Sequence, residues 1–154
     1  MPIRFATLSD VPVLVEGAGR MHASTRFRGQ PYDAHKVSNA FADLIEQRKS
    51  RYGFFIAENP EGQIVGALIG SIEQQILSTV CTANVMHLDV RPEARMGGYA
   101  VRLLRAFETW STNRGAVEIA LGVNGGAEMR RLGQFARRMG FRAIGENYVK
   151  LPQA

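Results

Sequence analysis

A single cysteine, Cys81, is all the thiol this chain carries. That excludes an internal disulfide and any metal centre built from several cysteines, and it suits a reducing compartment such as the cytoplasm. The three histidines, His22, His35 and His87, have no metal-ligand spacing, so no metal is expected. No apolar run approaches the length of a membrane span, and Met1-Pro2-Ile3-Arg4 lacks the basic and apolar regions of a secretion signal. Internal repeats, low-complexity tracts and linkers are also missing, so residues 1–154 read as one domain. Acidic side chains are in deficit: 14 stand against 19 Lys and Arg, a net charge of +5. The excess invites an anionic partner such as nucleic acid, a membrane surface or cofactor phosphates. The arginines form no long block, however, which favours a solvated basic surface over a nucleic-acid stripe.

What is present is concentrated between Val85 and Trp110. A strand ending in Leu88-Asp89-Val90 meets a break at Arg91-Pro92, then a glycine loop, then a long helix. Ala100, Leu103, Leu104, Phe107 and Trp110 fall at helical intervals on one face of it. The helix leaves directly from Gly97-Gly98, where glycine lets a ligand approach the backbone and unpaired first-turn N–H groups favour an anion. This is the physical recipe for a phosphate or diphosphate cradle. It is not a Walker loop, because no Gly-Lys-Ser/Thr follows, and G-x-G-x-x-G is absent too.

The rest of the chain reads in order as a strand at Ile3–Thr7, then a helix capped by Ser9 with Val11, Leu14, Val15 and Ala18 inward. A polar, aromatic and basic stretch, residues 21–32, carries His22, Phe27, Arg28 and Tyr32; it is either a substrate lip or a connector whose aromatics pack on the domain. Asp33 caps a second helix with Val37, Ala40, Phe41, Leu44 and Ile45 inward. Strands follow at Tyr52–Glu58 and Gln63–Ile72 around the turn Asn59-Pro60-Glu61-Gly62. Gly66 and Gly70 mark a bulge or a close backbone approach. A third strand runs from about Leu77 to Val90, and Arg114-Gly115 ends the long helix. A buried strand at Val117–Val123 comes next, then a helix opened by Gly125-Gly126 with Met129, Leu132, Ala136 and Met139 inward and stopped by Gly140. Phe141–Leu151 is expected to give one or two final strands. This βααβββαβαβ order predicts an α/β (α+β) fold, a mixed sheet with helices on both faces.

At Arg95-Met96-Gly97-Gly98-Tyr99-Ala100 the chain resembles the GNAT superfamily of N-acetyltransferases, whose acetyl-CoA loop has the form Arg/Gln-x-x-Gly-x-Gly/Ala. The Leu-x-Val strand end, the Pro-Glu before the arginine, the long helix and the later Gly140-Phe141 pair agree with it, and the element order matches across nearly the whole chain. The resemblance implies a mostly antiparallel sheet with a splayed parallel strand pair, between Val90 and Val117–Val123, into which acetyl-CoA wedges as cosubstrate. It implies that backbone N–H groups of Met96, Gly97, Gly98, Tyr99 and Ala100 hold the diphosphate, that Arg95 adds charge, and that Leu88 to Val90 face the thioester carbonyl. It also implies an amine-bearing acceptor, direct transfer in a ternary complex, and the dimers common among relatives.

The base is open between His87, Asp89 on the same strand face, and a water held near Asn84. A histidine merely satisfied by its neighbours is the structural alternative. Relatives carry a tyrosine acid in a Tyr-x-x-x-Gly-Phe pattern; the matching position here is Ala136, and neither Tyr148 nor Tyr99 has a positional claim to replace it. Three functions follow in order of support: an N-acetyltransferase, a catalytically weak acyl-CoA-binding module, and a basic nucleic-acid-binding protein. Arg130, Arg131, Arg137 and Arg138 of the last helix read as a solvated face or as reaching the cofactor phosphates.

Overall fold

The computed structural model describes residues 3–47, 51–122 and 129–152. Among the described residues five strands form one sheet in the order β1 (Ile3–Phe5), β2 (Tyr52–Glu58), β3 (Ile64–Gln74), β4 (Cys81–Val90) and β5 (Ala116–Leu121). The first three pairings, from β1 through to β4, are antiparallel, and β4 with β5 is parallel. Helices α1 (Val11–Ser24) and α2 (Ala34–Glu46) sit on one face; α3 (Tyr99–Asn113) and α4 (Met129–Arg138) sit on the other. This is the mixed, mostly antiparallel sheet that the sequence predicts.

Each face has its own core. Beneath α1 and α2 lie Val11, Leu14, Ile45, Phe54, Ile56 and Ile69. Against α3 lie Phe55, Leu68, Ala83, Val85, Val90, Leu103, Leu104 and Phe107. The glycines of β3 are what let α3 come down onto the sheet. A Cβ on Gly70 would stand 2.2 Å from Phe107 Cε2, and one on Gly66 would stand 3.1 Å from both Leu103 Cδ1 and the Asp89 carbonyl. The expected close approach is therefore by a helix as well as by a strand. Phe107 also stacks on Trp110 and meets Phe55 edge-on, filling the space this approach creates.

Local chemistry starts and stops the helices. Asp33 caps α2 by accepting from the Lys36 N–H at 3.0 Å. Asn59 organises the β2–β3 turn, its side-chain oxygen accepting from the Glu61 and Gln63 amides while Gly62 supplies a φ of 79°. Gly140, at φ 90°, ends α4, and the Phe141 amide returns to the Ala136 carbonyl at 2.9 Å.

Several expectations change. The first helix is not capped by Ser9; a short 3-10 turn, Leu8–Asp10, precedes it, and the Asp10 carboxylate accepts from the Thr7 amide (2.8 Å) and hydroxyl (3.0 Å). The same carboxylate is held by Arg4 at 2.8 Å and 3.0 Å, and Arg4 also bridges to Glu58 at 2.7 Å. A three-residue β1 is thereby tied to α1 and β2. Strand β4 begins at Cys81 rather than near Leu77, because Ile76 and Leu77 lie in a turn with their side chains almost wholly in water. Ala40 and Met129, expected inward, are exposed. Residues 141–152 form no strand and are exposed beyond Phe141. A strand needs a neighbour to take its backbone hydrogen bonds, and among the described residues none pairs with this segment. Gly125 and Gly126, and Val123 at the end of the expected fifth strand, lie outside the described residues.

Two stability outcomes follow. Gly70→Ala forces Phe107 off its position and should cost about 1–3 kcal/mol, read as a lower urea midpoint with unchanged slope. Arg4 holds the Asp10 carboxyl below its ordinary value of 3.8, so the stability this pair supplies is present above that value and is lost as pH falls through the depressed one. Asp10→Asn should lower stability at pH 7 by about 2–3 kcal/mol and flatten the loss of stability below about pH 4 in acid titrations followed by circular dichroism.

Candidate functional site

Strand β4 is divided in two by a bulge. On the β3 side Val85 pairs with Gly70 and His87 with Ile69, which leaves Met86 as the extra residue. On the β5 side the parallel pairing runs from Cys81↔Ala116 to Val85↔Leu121. Beyond it, among the described residues, Met86 to Val90 have no β5 partner. The parallel pairing is thus described for the first half of β4, up to Val85.

The bulge also sets the faces. Leu88 is opposite Leu68, and Val90 opposite Gly66, on the α3 side of the sheet. His87 is opposite Ile69, and Asp89 opposite Ala67, on the α1–α2 side. His87 and Asp89 thus share a face, as their spacing predicts, and Asn84 is exposed further along the strand. The His87 imidazole has an exposed edge, yet the atoms crowded around it make its charged form costly and lower its pKa below the usual 6.5. It is therefore neutral, and able to accept a proton, at physiological pH.

At the end of β4 the chain turns through a 3-10 segment, Pro92–Gly97, into α3. Gly98, the residue before the helix, has φ 73°, a left-handed conformation that glycine adopts without strain. Among the described residues no side chain caps the first turn of α3, so the amides of Tyr99 and Ala100 have no side-chain substitute for an anion, while Met96 and Gly97 belong to the 3-10 segment. Gly97 is needed for a different reason: a Cβ there would lie 2.5 Å from the ring of Tyr99. That ring is buried in the α3 core, so Tyr99 offers the site its amide rather than its hydroxyl. Ala100 packs against the same core. The Met96 side chain is fully in solvent. Arg95 bends back to donate from Nε to the Val90 carbonyl at 3.2 Å, fastening the loop to the strand end.

One residue escapes the sequence reading. Arg102 reaches back over the Tyr99 ring, 4.9 Å from its centroid, and donates to the Gly97 carbonyl. Its Nε is buried with no hydrogen-bond partner. The signal was available, because long side chains one turn into a helix lean toward its N-terminus. Arg102 therefore places a second guanidinium beside the loop.

The other candidates lie elsewhere. Tyr32 packs the connector onto α1, its hydroxyl donating to the Val15 carbonyl at 2.6 Å, its ring against Gly19 and 5.5 Å from that of His22. Phe27 is covered by Arg26. Ala136 is buried in α4, and its carbonyl accepts from the Phe141 amide at 2.9 Å. Tyr148 is exposed and bonded to Glu146. An open depression of about 350 Å³ is walled by Arg4, Asp10, Glu58 and Arg91, and includes none of residues 95–100. Among the described residues no group of three His, Cys, Asp or Glu could hold a metal ion, and no helix is long and apolar enough to cross a membrane.

The acetyltransferase (GNAT) family model matches residues 21–141. No curated protein matches the sequence. Solved structures agree in fold over essentially their full length. An acetyltransferase from Trypanosoma brucei superposes with a TM-score of 0.72 at 21% identity, covering 99% of each chain. A possible acetyltransferase from Clostridium difficile reaches 0.78 at 13% identity, over 99% of this chain and 97% of its own. A protein described as a transcriptional regulator from Bacillus halodurans also reaches 0.78, at 20% identity over 97% and 98%.

Proposed function

Given that the chain belongs to the GNAT acetyltransferase family, we propose that it moves an acetyl group from acetyl-CoA to an amine by direct transfer in a ternary complex. The observation that carries this reading is the helix start itself: after Gly98, at φ 73°, the uncapped first turn of α3 follows within a few residues of the end of β4. A coenzyme would lie there with its diphosphate on the amides of residues 96–100 and its pantetheine arm along β4.

The bound coenzyme supplies an activated acetyl thioester. The chain's own residues meet the remaining demands. Backbone N–H groups along Leu88 to Val90 stabilise the oxygen that gains charge as the amine adds. Arg95 and Arg102 flank the loop and offset the charge of the diphosphate. On the opposite face of β4, Asp89 attracts an ammonium, and His87, neutral at pH 7, accepts its proton directly or through a water. A second reading has one observation in its favour. The position of the family's tyrosine acid is Ala136, so the protein is alternatively an acyl-CoA-binding module of low catalytic power. A thiol with pKa near 8.5 leaves tolerably without an acid, which favours the transferase.

Two measurements test this. Acetyl-CoA or CoA at about a hundredfold excess over Kd should stabilise the protein by about 2.7 kcal/mol, a rise in Tm of about 5–10 °C, with no effect from ATP. Gly98→Glu places a carboxylate and a strained φ at the cradle and should abolish the shift; an equal shift in the variant would remove the cradle. With any amine found to turn over, kcat/KM should fall on the acid side with a midpoint below pH 6.5. His87→Gln should lose that limb along with about 10²–10⁴ of rate. An unchanged profile would transfer the base to water.

A further inference from the structure

Two opposite charges share the depression beside β1 and the β2–β3 turn without neutralising each other. Its volume of about 350 Å³ lies within the range of small-molecule sites, roughly 300–1,000 Å³. Four charged residues wall it, and two of them are already spent. Arg4 donates from both terminal nitrogens to the Asp10 carboxylate and from Nε to Oε1 of Glu58. Asp10 also accepts from the Thr7 amide and hydroxyl. The other two keep capacity. Both contacts from Arg4 fall on Oε1 of Glu58, so its Oε2 accepts nothing among the described residues. Arg91 is half-buried and makes no side-chain hydrogen bond or ion pair among the described residues, with Glu58 or with any other.

The backbone that carries these groups is fixed. The Arg91 amide donates to the Val65 carbonyl at 2.8 Å, and its carbonyl accepts from the Ala94 amide at 2.9 Å. Glu58 is paired with Ile64 at the end of β2, and the Gly62 amide closes the turn on the Asn59 carbonyl at 2.9 Å. A guest therefore meets walls that need no ordering on its arrival, which spares affinity. The charges select among guests. Arg4 and Arg91 balance Asp10 and Glu58, so the wall is neutral as a whole. A simple anion on Arg91 would also face Glu58, and a simple cation on Glu58 would also face Arg91. An uncharged molecule would shield both from water and pair neither, which costs free energy. A molecule carrying one charge of each sign satisfies both by charge-assisted hydrogen bonds. Val13 and Ile64 add an apolar part to the wall.

We propose that this depression binds a free α-amino acid with a small apolar side chain, its carboxylate on Arg91, its ammonium on Oε2 of Glu58, and its side chain against Val13 and Ile64. Beside a carboxylate the ammonium keeps its proton. A protonated amine has no lone pair with which to attack a thioester, so this ligand is held without reacting. The proposal does not depend on acetyl transfer.

The test is an NMR titration of the full chain, followed by amide shifts, with L-valine, L-valinamide (no carboxylate) and N-acetyl-L-valine (no ammonium). L-valine should saturate with a Kd of about 1 mM or tighter and move the amides of Gly62, Gln63, Ile64 and Arg91. Each analogue should bind at least about tenfold more weakly, having lost one charge-assisted contact. Arg91→Gln should weaken L-valine by a similar factor and leave L-valinamide unchanged, a pattern that general loosening of the fold would not produce. Glu58→Gln should weaken L-valine and leave N-acetyl-L-valine unchanged. Incubation with acetyl-CoA should return L-valine unmodified. The proposal fails if L-valine gives no saturable shifts, if either analogue binds as tightly as L-valine, or if the shifts map away from the depression. It also fails if L-valine is acetylated, because the amine would then not be held as an ammonium. Calorimetric titration of CoA into the same variants reads the transferase proposal on its own.

Discussion

The structure depends on how closely α3 lies against β3 and β4. Phe107 occupies the volume that a side chain at position 70 would fill, and Leu103 does the same over Gly66. With both contacts made, the helix cannot slide along the sheet without opening a void or driving an aromatic ring into backbone. The consequence reaches the loop. Tyr99, at the head of the same helix, is buried in the same core and lies beneath Gly97. The first-turn amides are thus held by packing that lies outside the site. A cradle for an anion works best when its donors are fixed before the ligand arrives, since ordering them at that moment would cost affinity.

The bulge at Met86 does a second job that straight pairing would not. With a regular ladder, Val85 would share a face with His87 and Asp89, and one of the two cores would receive polar side chains. The extra residue lets Val85, Leu88 and Val90 all turn toward α3, and sends His87 and Asp89 to the other side. The core half of β4 and the exposed half are one strand under two sets of constraints.

What the sequence made legible was whatever chemistry is local. The helical spacing from Ala100 to Trp110, the Asp33 cap, the Asn59–Gly62 turn and the Gly140 stop each need only a few neighbouring residues, and each appears in the structure. The loop was legible for the same reason, as glycines before a helix have few uses. The features missed depend on partners far along the chain. Arg4 meets Asp10 and Glu58 only once β1 lies beside β2. Apolar Ile76 and Leu77 read as strand until the hairpin turns them into solvent. Phe141–Leu151, expected to give one or two strands, has no strand partner among the described residues.

Ala136 joins the fold to the chemistry most directly. Its side chain is buried in α4, a helix whose Phe135 and Met139 pack against the α3 core. A phenol at this position would need far more volume than a methyl group, and interiors packed to crystal density absorb such volume only by moving. The position is therefore committed to holding α4 in place. On the proposed reaction a thiolate would leave without that acid, which its modest basicity permits. On the other face of the sheet, the atoms crowded around His87 lower its pKa and hold the imidazole neutral, although one edge of it is exposed.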